Sequence, residues 1–219
     1  ERLWLHVDGA YGGFFLLTEE GRRRMRGIER ADSVVLDPHK GLFLPYGTGA
    51  LLVRDGDTLK RAHALTGDYM PSMQEAPDLV DFNLLSPELS RGFRGLRVWL
   101  PLKMHGIGPF RANLEEKLAL TRLATEELSR MPGIEILAEP QLSIVAFRLT
   151  RPALDEPQLN ALNRNLLERV NARKRVYLTG TVLGGRFAIR ICVLSFRTHR
   201  ERIEMALDDI REACTKINV

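Results

Sequence analysis

Cysteine is nearly absent: Cys192 and Cys214 are the only two in 219 residues. Neither has a His or Cys nearby at metal-ligand spacing, which excludes a disulfide scaffold and a zinc cluster. Both read as small core residues in a reducing, cytoplasmic compartment. No apolar run approaches the roughly 20 residues of a membrane span. No secretory leader opens the chain, although a chain that begins part-way through its protein would have lost one. No charge of one sign dominates, since 32 basic residues face 28 acidic ones for a net charge of +4. The densest basic run, "RRRMRGIER" at 22–30, lacks interleaved aromatics. It reads better as a solvated helix face than as a nucleic-acid surface. Neither nucleic acid nor membrane is therefore an expected partner. With 44% hydrophobic and 27% charged residues, the chain has the composition of a globular protein large enough to bury a core.

Strand and helix signals alternate through the first hundred residues. "LWLHV" (3–7), "SVVLD" (33–37) and "GALLVRD" (49–55) are short apolar strands. Their apolar residues are contiguous, as in strands covered on both faces. A polar, Arg-rich helix is expected over 18–29, with Glu19 and Glu20 in its first turn. Three such strands are few for a covered sheet, so the front half reads as part of a sheet whose neighbours lie elsewhere. Residues 66–92 carry three prolines and little periodicity, the pattern of a functional or mobile loop. A strong amphipathic helix follows over 107–132, with Phe110, Leu114 and Leu118 on one face and Pro132–Gly133 ending it.

Beyond Gly133 the pattern is that of a small α+β domain. "IEIL" and "SIVAFRL" read as strands. A helix over 156–171 has Asp155 and Gln158 at capping-box spacing and Leu159, Leu162, Leu166 and Val170 on one side. "VYLTGTVL", Gly184–Gly185 and "RFAIRICVL" read as a β-hairpin, with Phe187, Ile189, Ile191 and Val193 facing inward. Thr198 and Glu201 are spaced as a second capping box before a last helix that buries Ile203, Leu207 and Ile210. The domains expected are 1–106, a connecting helix at 107–132, and 133–219.

Two stretches carry chemistry: "HVDGAYGG" with Asp8, and "LDPHKG" with Lys40, thirty-two residues later. Each sets a reactive side chain at or just beyond the C-terminal end of a strand, where ligands bind in open α/β sheets. An amine and a carboxylate presented this way suit pyridoxal 5'-phosphate. That cofactor needs a lysine for its aldehyde and an anion beside its ring nitrogen. The anion favours the protonated ring, and the lysine must be partly desolvated to act as a nucleophile. Ala10 is small enough for a flat ring to lie against the backbone, and His39 is placed to bond a phosphate or a substrate group. Taken singly, Asp8 is a turn residue and Lys40 a surface lysine; together with His39 and the flanking glycines they read as a cofactor site. His6 is expected to be packed or bonded to backbone. His63 and His105 are expected at the surface or at helix ends. Arg91, Arg94 and Arg97 either bind a substrate carboxylate or pair with surface acids, and Arg190 is expected in a structural ion pair.

These motifs, "WLHVDGAYGG" followed by "ADSVVLDPHKGLFLPYGTGALLVRD" and later "SPELSRGFRGLRVWLPLKMHG", resemble the group II pyridoxal-phosphate-dependent amino-acid decarboxylases. That group includes the aromatic-L-amino-acid, glutamate and cysteine-sulfinate enzymes. The likeness is strongest over 3–55 and 86–106. It implies an α/β chain of the PLP-dependent transferase type I fold: part of a large domain with a mostly parallel sheet, plus a small α+β C-terminal domain. It implies Lys40 as the Schiff-base lysine, Asp8 as the ring-nitrogen partner, Ala10 against the ring and His39 near the phosphate. Asp37 falls where the aromatic enzymes carry a phosphate-binding asparagine, and an acid there would repel a phosphate. Gly41 replaces a frequent Trp and Gly9 a frequent Ala. The 66–92 segment matches the mobile catalytic loop, with Tyr69 as its only tyrosine and the candidate proton donor. The histidine stacked on the cofactor and the main phosphate-binding turn of such enzymes lie upstream of the Asp motif and have no counterpart here.

The expectation is a C-terminal portion of a homodimeric decarboxylase that requires its N-terminal half. It would convert an L-amino acid, by preference an aromatic one, to the amine and carbon dioxide. Two alternatives stay open: other chemistry of the same cofactor, as carbonyl-forming oxidative deamination or carbon–carbon lysis, and a fragment inactive on its own.

Overall fold

The computed structural model describes residues 3–64 and 80–217, and divides into two compact units between Ile107 and Gly108. In the first, β1 (His6–Gly9) pairs in parallel with β2 (Ser33–Leu36), which pairs antiparallel with β3 (Ala50–Val53). The two pairings thus divide evenly in direction, within a sheet of mixed sense. β1 begins later than the expected 3–7 and runs on through Asp8. The reason is its partner: the register couples His6 to Ser33 and Asp8 to Val35, and Leu5 is tied to Asp32 through both its N–H and its carbonyl. Among the described residues both outer strands of this sheet are edges, and Leu51 and Leu52 on β3 stay half exposed.

The Arg-rich helix is shorter than the expected 18–29. Here α1 spans Glu19–Arg24, capped by the Thr18 hydroxyl, which accepts from the Gly21 N–H at 3.1 Å. Gly27 stands in the left-handed region at φ 98°, which ends any continuation. Glu20 pairs with Arg23 and Arg24, and Arg22 donates to the carbonyls of Leu16 and Leu17. The first three arginines of the basic run are thus tied to Glu20 or to main-chain carbonyls of the preceding turn. A short α2 (Pro38–Gly41) follows β2, and α3 (Gly56–His63) follows β3 under an Asp55 cap. The helix α4 (Leu96–His105) leaves Leu96, Trp99, Leu100 and Met104 exposed. His63 and His105 close α3 and α4, as expected of helix-end residues. His6 is bonded to a side chain, its Nδ1 lying 2.7 Å from the Ser33 hydroxyl.

The second unit is a four-stranded antiparallel sheet with three helices. Its strands are β4 (Ile134–Gln141), β5 (Ile144–Leu149), β6 (Thr179–Leu183) and β7 (Arg186–Cys192), in the order β4-β5-β7-β6. The helices are α5 (Gly108–Ser129), α6 (Glu156–Ala172) and α7 (Arg200–Lys216). The hairpin turn places Gly184 at φ 55° and Gly185 at φ 81°, two positive values that match the strand twist only without a Cβ. Phe147, Leu149, Leu166, Val170, Ile189 and Ile210 are at or near full burial and form one core. Leu120, Ala124 and Leu128 of α5 belong to it, so this helix is an integral part of the second unit.

Capping follows the sequence at α6, where Asp155 and Gln158 exchange bonds of 2.9 Å each. At α7 it does not. The expected Thr198–Glu201 box is replaced by His199 at the cap position, with no side-chain cap bond. The cause is α5: Lys117, fully buried, donates to the Thr198 carbonyl at 2.7 Å, and His199 is drawn 2.8 Å from Glu116. Cys192 is exposed and only Cys214 is partly buried, correcting the expectation of two core thiols. Arg190 makes no ion pair among the described residues, and its Nε is buried without a hydrogen-bond partner there. The expected pairing fails because its strand neighbours Thr179 and Ala146 offer no acid.

Asn163 is buried in α6 and bonds the Leu149 N–H at 2.7 Å and its carbonyl at 2.8 Å. Asn163→Ala leaves both without that partner and is expected to lower the stability of this unit by about 2–3 kcal/mol, measured by urea unfolding. Burial pushes the Cys214 thiol up to about 11. At about pH 8, iodoacetamide should therefore modify Cys192 well before Cys214, with the Cys214 rate still climbing towards pH ~11; peptide mass spectrometry reads both.

Candidate active site

Parallel pairing sets the C-terminal ends of β1 and β2 side by side, with Asp8 opposite Val35 and Gly9 opposite Leu36. Asp8 is exposed at the end of β1, and its Oδ1 accepts the Ala10 N–H at 3.0 Å. Ala10 is half-buried. One residue past β2 comes Asp37, then the single turn of α2 with His39 and Lys40. Pro38 in the first position of that turn favours a helical start directly after the strand. Phe43, just after the turn, is held at φ 57°. For a non-glycine residue that is a strained conformation of the kind that clusters at functional sites.

The polar groups here form one connected set. Lys40 Nζ lies 2.7 Å from Asp37 Oδ2, and His39 Nε2 lies 3.8 Å from the same oxygen. His39 Nδ1 lies 2.6 Å from the Thr48 carbonyl. A carbonyl oxygen only accepts, so Nδ1 carries the hydrogen and Nε2 is left facing Asp37. The His39 ring also packs on Tyr46, centroids 4.7 Å apart. The Asp37 carboxylate holds the Lys40 ammonium above its ordinary range, with smaller contributions in the same direction from Tyr46 and Asp8. Asp8 stands at the C-terminal end of β1, beside the strand whose following turn carries Lys40.

Gly41 has a structural explanation. A Cβ added there would sit 2.7 Å from Phe14 Cβ, so Phe14 fills the space beside the lysine turn. Phe14, Tyr46 and Thr48 are the parts of this site that sequence reasoning passed over. Only the unusual glycine after Lys40 hinted that another side chain takes its room. Tyr69 and much of 66–92 lie outside the described residues. Of the three arginines, Arg94 pairs with Glu88, Arg91 bonds Ser86 and the Glu88 carbonyl, and Arg97 reaches the Tyr46 carbonyl.

A primary amine, a carboxylate on the neighbouring strand end with the small Ala10 beside it, and an imidazole are a donor set that fits a flat pyridine aldehyde. The pattern of the pyridoxal-dependent decarboxylase conserved domain matches residues 1–150. The chain belongs to that family. It is 32% identical over 221 residues to an aromatic-L-amino-acid decarboxylase of Bacillus atrophaeus, covering 100% of this chain and 46% of that protein. Its fold superposes with a TM-score of 0.91 on tryptophan decarboxylase of Oryza sativa solved with PLP and tryptamine, at 25% identity, over 98% of this chain and 45% of that one. It superposes with a TM-score of 0.86 on 4-hydroxyphenylacetaldehyde synthase of Rhodiola rosea, at 26% identity, over 98% of this chain and 44% of that one. The chain therefore spans less than half the length of these relatives, and within that span it has the partial type I fold and small α+β domain expected of the family.

The second unit contains a cavity of about 550 Å³ whose lining includes Arg175, Arg190, Arg197 and Arg202. Of these, Arg175 is bonded to the buried Asp209, while Arg202 reaches the Arg175 carbonyl.

Gly41→Ala is expected to lower the thermal stability of the first unit by about 1–3 kcal/mol through overpacking. Phe14→Ala in the same molecule should recover part of that loss, a non-additivity that a double-mutant cycle of melting curves measures.

Proposed function

We propose that this chain is the lysine-bearing portion of a pyridoxal-phosphate-dependent amino-acid decarboxylase, a carboxy-lyase that converts an L-amino acid to its amine and carbon dioxide. The observation that carries this reading is the Asp8–Lys40 site, set by one parallel strand pair, in a member of the decarboxylase family. Aromatic substrates are the preferred class, in line with the names of the Bacillus and rice relatives.

In this reading Lys40 would hold the cofactor through its amine, Asp8 would sit at the ring nitrogen, Ala10 would lie against the ring, and His39 would stand near the phosphate. The cofactor, when bound, supplies an electron-accepting ring. The carboxylate of Asp8 favours a proton on the ring nitrogen, because opposite charge stabilises the charged form. His39 is held by the Thr48 carbonyl with its other nitrogen available. Lys40, about 41% exposed along its side chain, is accessible to an incoming aldehyde and to the substrate amine that displaces it. Delivery of the final proton to carbon falls to a residue of the 66–92 segment, with Tyr69 as the candidate.

The exposed Leu51 and Leu52 on β3 and Trp99 and Met104 on α4 support partner surfaces for the remainder of the enzyme and for a homodimer. Two cysteines without a disulfide accord with a cytoplasmic setting. The likeness to the Rhodiola synthase supports a second reading, carbonyl formation by oxidative deamination at the same lysine.

The test supplies pyridoxal phosphate and L-tryptophan, L-tyrosine or L-glutamate to this chain, alone and mixed with the portion of the Bacillus relative that it does not span. Carbon dioxide release with amine formation is expected for the aromatic substrates. Lys40→Ala should abolish retention of the cofactor's visible absorbance, and Asp8→Ala should lower turnover by about 10²–10³-fold. Aldehyde in place of amine would establish the second reading. Turnover retained in Lys40→Ala would refute both.

A further inference from the structure

Asp37 occupies the N-cap position of α2, where a carboxylate ordinarily accepts amide hydrogens of the first helical turn. Its side chain makes no such bond. It turns to Lys40 instead, at 2.7 Å, while remaining 3.8 Å from His39 Nε2. The Asp37 and His39 side chains are only 16% and 13% exposed, so the carboxylate is largely sheltered, while the Lys40 side chain stays partly open to solvent. The capping role is taken by its main chain, whose carbonyl accepts from the Lys40 and Gly41 N–H groups at 2.9 and 3.1 Å. Asp37 is thus free of helix duty and committed to the ammonium. The other charged or titratable groups around Lys40 are Asp8 on β1, Tyr46 in the loop before β3, and His39 on the same turn.

We propose that Asp37 is a positioning residue for Lys40: it holds the side chain as an ammonium ion aimed along α2 and so makes carbonyl capture by this lysine depend on pH. The proposal rests on the reading of Lys40 as the aldehyde-binding amine. An ammonium has no lone pair, so one proton must leave before nitrogen attacks the carbonyl carbon. In the condensation a carbon–nitrogen double bond forms and the carbon–oxygen bond breaks. The oxygen leaves as water with two of the nitrogen's three hydrogens, and the nitrogen keeps one hydrogen and its positive charge. Asp37 opposes the first of these events. This differs from the phosphate-binding part that the family resemblance gives to an asparagine at the same place.

The experiment needs no cofactor. The chain and its Asp37→Asn variant are trace-labelled with acetic anhydride from neutral to alkaline pH, and each lysine is quantified by peptide mass spectrometry with the other lysines as internal references. Lys40 of the native chain is expected to reach half-maximal reactivity at higher pH than a model lysine peptide. In Asp37→Asn the profile should move to lower pH, raising Lys40 labelling at about pH 8 by roughly two- to five-fold, with the other lysines unchanged. Asp37→Ser gives the same comparison should the asparagine variant fold poorly. An unshifted Lys40 profile in the folded variant overturns the proposal. Uptake of pyridoxal phosphate, measured in parallel on the chain mixed with the portion of the Bacillus relative that it does not span, reports on the cofactor reading alone, so a shifted profile without uptake there would remove that reading and leave the Asp37 role standing.

Discussion

The candidate site of this chain depends on four residue pairs of parallel strand pairing. Asp8 and Lys40 are far apart in sequence and carry no mutual attraction strong enough to order the backbone between them. The ladder from His6–Ser33 to Gly9–Leu36 does that ordering. It delivers both strand ends to the same edge of the sheet, where backbone groups are no longer used in pairing and side chains can meet a ligand. Any slip of one residue would turn Asp8 to the opposite face.

Once the strand ends are in place, short-range electrostatics organises the rest. A single turn of helix puts His39 and Lys40 two and three residues beyond Asp37, close enough for one carboxylate to address both. The neighbouring loop supplies the Thr48 carbonyl that fixes the imidazole. Phe14 packs where Gly41 leaves room, so the lysine turn is supported from below by apolar contact rather than by a bulky residue of its own. The site couples charge to packing: the lysine's proton depends on Asp37, and the orientation of Asp37 depends on the turn. The second unit needs none of this, since its core is closed by β5, β7 and three helices.

Much of this was legible in the sequence. Contiguous apolar strands, the Asp155–Gln158 box, the Gly184–Gly185 turn and the inward stripes of α6 and α7 are local patterns, and local sterics and hydrogen bonding enforce them wherever the chain goes. The Arg-rich helix stopped early at a local left-handed glycine, Gly27, but other misreadings fell where tertiary packing intervened. The α7 start moved because Lys117 and Glu116 of α5 engage Thr198 and His199. Among the described residues Arg190 lacks its expected acid, because which residue faces it across the strands is set by register, which residue spacing does not encode. Cys192 is exposed because it stands on the less covered face of β7.

By itself, the sequence determined which side chains are the candidates for chemistry: an Asp and a Lys, each following an apolar strand and flanked by glycines, at a spacing that resembles the family. The tertiary structure decided how they are placed. It set the direction of strand pairing, the turn of Asp37 away from its helix cap towards Lys40, and the placing of Thr48 and Phe14 around the lysine turn. The physical reason is that strand order and side-chain direction are chosen by packing and charge summed over distant segments, whereas reactive residue types and local turns are written into neighbouring positions.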